Sequence, residues 1–129
     1  MNKFFIDSSA WIDYFSGSEK GKKVKEIMSK QGVMIYTSGM TVAEVATKFI
    51  RENQPADQAV AAMQALASLV SFDFALGKNT ALAYVHRRKT HGKFGLVDAH
   101  VLAAARQLQG KVVTCDADFL GLPEAIVIK

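Results

Sequence analysis

Four carboxylates in this chain are placed so that they could share one task. Asp7 ends the apolar run Phe4-Phe5-Ile6, Glu44 follows Thr41-Val42-Ala43, Asp98 lies between Val97 and Ala99, and Asp116 follows Val113-Thr114-Cys115. Acids brought to one place repel, a pair 4 Å apart by about 4 kcal/mol at an effective dielectric of 20. A divalent cation relieves that repulsion, and hard oxygen ligands suit Mg2+ or Mn2+. Ions held by carboxylates can activate water and stabilise a leaving oxygen, which is the chemistry of phosphodiester hydrolysis. Histidine is a poorer candidate: His86, His91 and His100 lack the i, i+4 spacing of a zinc-binding helix, so core or surface roles suit them better. No G-x-G-x-x-G or Walker sequence anchors a nucleotide cofactor. The single cysteine, Cys115, excludes an internal disulfide and a thiolate zinc site.

The elements that must position the acids follow from periodicity. Phe4 to Ile6 is a short unbroken apolar run, the pattern of a parallel strand covered on both faces. Val33 to Tyr36, a stretch within Val70 to Phe74, Lys111 to Thr114, and Ala125 to Ile128 read as four further strands. Between them the spacing predicts helices over Ala10 to Phe15, Lys20 to Lys30, from Val42 through Ile50, after Pro55, over Thr80 to Lys89 and over Leu96 to Gln109, the last ended by Gly110. Alternating strands and helices imply a parallel sheet with right-handed crossovers. Strand ends and the starts of the following helices then share one edge of the sheet, where ligands bind in such folds. All four acids are expected there.

Each acid also has a plainer role open to it. Thr41-x-x-Glu44 matches a capping box, and Glu44 could pair with Lys48 at i+4. Asp98 could be a first-turn acid favoured by the helix dipole, although it aligns with Leu102 and Ala105. Asp116 and Asp118 could be turn residues after a strand. Asp7 is the hardest to explain away, because no turn signature lies behind it.

Composition narrows the classes. With 129 residues, 50% hydrophobic and 22% charged, residues 1–129 read as a single domain long enough to bury about two-thirds of its unfolded surface. No apolar run approaches the roughly 18 residues of a membrane span, and Asp7 to Ser9 interrupt the first hydrophobic stretch too early for a signal peptide. A soluble protein of a reducing cytoplasm is expected. The net charge is +4. Of 12 acidic residues, setting the four aside leaves 8 against 16 basic ones, an acidic notch in a basic surface that would draw a polyanion. Arg87, Arg88, Lys89 and Lys93 could grip phosphates, or could simply be a solvated face.

These residues carry a resemblance. Phe5-Ile6-Asp7-Ser8-Ser9-Ala10-Trp11-Ile12-Asp13 resembles the opening of PIN-domain ribonucleases, above all the VapC toxins of toxin–antitoxin pairs. Thr41-Val42-Ala43-Glu44, Gly95-Leu96-Val97-Asp98-Ala99 and Val113-Thr114-Cys115-Asp116-Ala117-Asp118-Phe119 resemble the later acidic motifs, in the family's order along the whole chain. Singly each motif is weak; the four at this spacing are specific. The resemblance implies a Rossmann-like α/β/α sandwich around a central parallel sheet, and a Mg2+- or Mn2+-dependent endoribonuclease in which Asp7, Glu44, Asp98 and Asp116 bind metal. It implies that Ser9 and Thr114 are hydroxyls orienting a carboxylate or water, with Asp118 a further contributor. It also implies an RNA substrate, a VapB-type antitoxin and a homodimer. His100 and Cys115 depart from the family's usual residues, and neither touches the acids.

Two other classes remain in view. A phospho-accepting receiver domain is also a parallel α/β fold of this size, but needs paired acids after its first strand and a Lys after its last; here there is Asp7 alone, and Lys129 is the final residue. A non-catalytic RNA-binding relative would be expected to lack site acids, and all four are present.

Overall fold

β1 (Asn2–Ile6) is the central strand of a five-stranded, all-parallel sheet in the order β3-β2-β1-β4-β5. In this computed structural model, which describes residues 2–129, the other strands are β2 (Val33–Thr37), β3 (Ser68–Leu69), β4 (Lys111–Thr114) and β5 (Ala125–Val127). The helices are α1 (Ser8–Ser16), α2 (Glu19–Met28), α3 (Gly39–Arg51), α4 (Ala56–Leu66), α5 (Phe74–Arg88) and α6 (Leu96–Leu108). A receiver domain has the order 2-1-3-4-5, so this topology sets that alternative aside.

Successive strand residues face opposite sides, which divides the core into two layers. On one face Phe5 and Val112 pack with Leu76 and Ala83 of α5 and the run Ala99 to Ala105 of α6. On the other, Phe4, Ile6 and Val113 meet Trp11 of α1, Val24 of α2, Val45 of α3 and Met63 of α4. The result is the α/β/α sandwich expected of the sequence. Among the described residues, no helix is long and apolar enough to cross a membrane.

Three local expectations are corrected. The third strand is Ser68–Leu69 rather than a stretch within Val70 to Phe74, although the Val70 N–H still donates to the Thr37 carbonyl at 2.8 Å. Val-Ser-Phe-Asp-Phe alternates like a strand, but the Asp73 carboxylate accepts from the Leu76 N–H at 2.9 Å and starts α5 at Phe74, a turn and a half before Thr80. Phe72 and Phe74 are left exposed. At the end of α6 the left-handed residue is Gln109 (φ 56°), not Gly110. Gly110 is required for a different reason: a Cβ there would overlap the Lys3 carbonyl of β1.

Candidate metal centre

The site begins where β1 stops. The Asp7 N–H still pairs with the Val113 carbonyl at 2.9 Å, and the Asp7 carbonyl accepts the Trp11 N–H at 3.0 Å, the first bond of α1. One residue thus ends the strand and opens the helix, which fixes its backbone. Its side chain, only 3% exposed, does no capping. Instead Oδ2 accepts from Ser9 Oγ at 2.9 Å and from Thr114 Oγ1 at 2.8 Å. Each hydroxyl has one proton to give, so both are committed to Asp7, and the 3.1 Å contact between them is left without one. Their lone pairs take backbone donors in turn: Ser9 accepts from the Cys115 N–H at 3.0 Å, and Thr114 from the Asp116 N–H at 3.0 Å. Asp7 is thereby tied to the chain that carries Asp116. Burial raises the Asp7 pKa, the Thr114 and Ser9 hydroxyls pull it back, and the neighbouring Glu44 raises it further.

Glu44 is half-buried on α3, whose N-cap is Ser38, accepting from the Thr41 N–H at 3.2 Å. Thr41 is therefore inside the helix, and Thr41-x-x-Glu44 is no capping box. Nor does Glu44 pair with Lys48, which bonds Glu52 at 2.7 Å. Both plainer roles for Glu44 fall away. Burial raises its pKa, the Ser8 hydroxyl opposes that, and Asp98 adds to it.

Asp98 keeps its plainer role and adds another. Its Oδ2 accepts from the Gly95 N–H at 2.9 Å, so it does cap α6. The same residue lies with Asp116 and Asp118 in a group in which one carboxylate oxygen from each is within 4.8 Å of the other two. Asp116 Oδ1 accepts from the Asp118 N–H at 2.8 Å, closing a short 3-10 turn, Ala117–Phe119, that sets the two acids side by side. The Asp98 pKa is pushed up to about 6, by burial first and then by the charges of Asp7, Asp116 and Asp118, against the Gly95 N–H.

The donor set suits a hard divalent ion. It consists of carboxylate oxygens alone, and none of the three ion pairs among the described residues reaches it. Burial pushes the Cys115 thiol up to about 12, which leaves no thiolate to compete.

The basic residues separate. Arg87 Nη2 donates to the carbonyls of Asp118 at 2.8 Å and Leu120 at 2.7 Å, and Arg88 Nη1 donates to Tyr84 Oη at 2.9 Å. Arg87 is half-buried and engaged within the fold, whereas Arg88 stays exposed and bonds only along its own helix surface and to the Phe94 carbonyl. Lys89 and Lys93 stand exposed on the loop that leads to α6. His100 is buried: its Nε2 lies 2.7 Å from Ser38 Oγ, its ring makes T-shaped contacts with Phe5 and Phe72, and burial lowers its pKa. It links α6 to the cap of α3, a contact between residues 62 apart for which the local sequence holds no signal. For Asp118 a signal did exist, the Asp-x-Asp spacing after a strand.

The sequence profile described as PIN domain matches residues 4–124. No curated protein sequence matches. Among solved structures, the chain is similar to a toxin of Mycobacterium tuberculosis described as VapC20, a sarcin-ricin loop cleaving toxin (TM-score 0.76, 20% identity, 98% of this chain and 99% of that one). It is similar to a chain of a toxin–antitoxin complex from Klebsiella pneumoniae (TM-score 0.71, 24% identity, 97% of each chain). It is also similar to a chain of VapBC2 from Rickettsia felis, solved bound to a DNA fragment from their promoter (TM-score 0.73, 12% identity, 97% of this chain and 96% of that one). At these identities the likeness is one of fold.

Proposed function

The chain belongs to the PIN domain family, and from that membership and its acidic edge we propose that it is a Mg2+- or Mn2+-dependent endoribonuclease, a VapC-like toxin hydrolysing RNA phosphodiester bonds. The observation that carries this is the meeting of one oxygen each of Asp98, Asp116 and Asp118 within 4.8 Å, beside the buried Asp7 and with none of these carboxylates in an ion pair among the described residues. A fold keeps such a cluster at the expense of stability when the cluster has work to do.

Asp7, Glu44, Asp98, Asp116 and Asp118 would hold the metal. When bound there, Mg2+ or Mn2+ supplies a Lewis acid that activates water and stabilises the leaving oxygen. The rest belongs to the chain. Ser9 and Thr114 favour the ionised form of the buried Asp7 and fix its orientation. The Gly95 N–H does the same for Asp98, and Thr114 holds the backbone at Asp116. Arg88, Lys89 and Lys93, exposed at the end of α5 and on the loop that leads to α6, are the cations that would meet phosphates. A VapB-type antitoxin, a homodimeric assembly and a cytoplasmic site of action belong to the same proposal; the likeness to a chain of the Klebsiella toxin–antitoxin complex and to one of Rickettsia VapBC2 supports the first of these.

The test is incubation of the purified protein with structured RNA in Mg2+, Mn2+ or excess EDTA. Cleavage is expected only with the metals and should leave 5′-phosphate ends. Undiminished cleavage in EDTA, or 2′,3′-cyclic phosphate ends, would sink the proposal.

A further inference from the structure

Arg87 looks from the sequence like one cation in a basic run, but the fold gives it a different position. It lies in the last turn of α5, and its Nη2 bridges two carbonyls, Asp118 and Leu120, on either side of Phe119. Its guanidinium carbon sits 5.7 Å from the centroid of Phe94, and Phe94 meets Phe119 edge to face at 5.4 Å. Both rings are fully buried. Arg87 and Phe94 therefore grip the turn from the polar and the apolar side at once. Phe94 directly precedes Gly95, whose N–H aims Asp98. The two halves of the acidic cluster, the turn carrying Asp116 and Asp118 and the start of α6, are thus joined behind the site through one side chain.

We propose that Arg87 is a positioning residue for the acidic site, clamping the Asp116–Leu120 turn so that Asp116 and Asp118 face Asp98. The clamp consists of two charge-assisted bonds from one nitrogen to carbonyls, with the guanidinium placed over an aromatic ring. This inference deepens the metal-site proposal and rests on it.

Mn2+ binding measured by the EPR signal of the free ion, below the melting temperature of every variant, separates the possibilities. Loss of a positive charge near a cation site should by itself tighten Mn2+ binding. Loss of the clamp should weaken it, by about 10- to 100-fold, as for other residues that orient ligands from behind. Arg87→Gln is expected to weaken Mn2+ binding in that range while leaving the salt dependence of RNA binding unchanged. Should Arg87→Gln fail to fold, Arg87→Lys keeps the charge but replaces the guanidinium over Phe94 by a shorter-reaching ammonium, and a smaller weakening is expected. If the variant binds Mn2+ as tightly as wild type, or tighter, Arg87 does not position the site, even if melting falls. A flatter salt slope would make it a phosphate contact instead. If wild type and Asp98→Asn alike bind no Mn2+, the metal site itself is gone, and the role of Arg87 with it.

Discussion

The Asp98 carboxylate accepts the N–H of Gly95 at 2.9 Å, so the residue that faces Asp116 and Asp118 also begins the helix on which it stands. Helix capping and cluster membership are usually offered as alternatives for a first-turn acid. Here one side chain does both, and the two roles respond differently to substitution.

Asn at position 98 keeps an oxygen for the Gly95 N–H but carries no charge. The folded Asp98 pKa of about 6 lies above the ordinary value, so the fold favours the neutral form. The stability this contributes is present below pH ~4 and is lost as pH rises through ~6. Asp98→Asn is therefore expected to abolish cleavage yet melt above wild type at pH 7.5 in EDTA. Allowing for screening by water, the gain should be on the order of 1 kcal/mol, or a few degrees. The gap should close near pH 4, and added Mg2+ should raise wild type towards the variant. Calorimetry at the two pH values checks it; Asp98→Asn melting below wild type in EDTA would mean that its charge serves the helix more than it strains the cluster.

Thr114 gives its proton to Asp7 and accepts the Asp116 N–H. Thr114→Val keeps the shape and breaks both bonds. We expect a loss of about 1–3 kcal/mol in stability from the stranded buried groups. Metal affinity or turnover should fall by about 10- to 100-fold. Denaturant melts beside Mn2+ titrations would measure the two effects separately, and an active, normally stable variant would remove Thr114 from the site.

For RNA binding, the structure divides the basic run. Lys89→Gln with Lys93→Gln is expected to flatten the plot of log affinity against log salt by up to about 1.4, if each lysine holds one phosphate of a single strand. Binding isotherms at several salt concentrations decide this. An unchanged slope would assign both lysines to a solvated face.

Gly110→Ala tests the packing beneath the site. The added Cβ would meet the Lys3 carbonyl, which is backbone of the central strand and cannot give way cheaply. A destabilisation of about 1–3 kcal/mol is expected. A melting temperature equal to wild type would show that β1 and the end of α6 are less tightly apposed than they stand here.

Much of this protein can be read along the chain, because the physics involved is local. An unbroken apolar run followed by Asp identifies β1 and its end, 3.6-residue stripes identify the helices, and alternation of the two implies a parallel sheet whose carboxyl edge must collect Asp7, Glu44, Asp98 and Asp116. Local rules also mislead where two of them compete, as at Val70 to Phe74, where strand-like alternation gives way to a single capping aspartate. What no local rule contains is which groups meet from distant parts of the chain. The hydroxyls of Ser9 and Thr114 converge on one oxygen of Asp7 from opposite ends of the sequence. Arg87 leaves its basic neighbours to hold carbonyls 31 and 33 residues away, and His100 reaches back 62 residues to the cap of α3. A side chain's partners, unlike its periodicity, are set by where packing places the rest of the molecule. The sequence therefore announces the acids, and only the folded sheet and its helices decide what holds them in place.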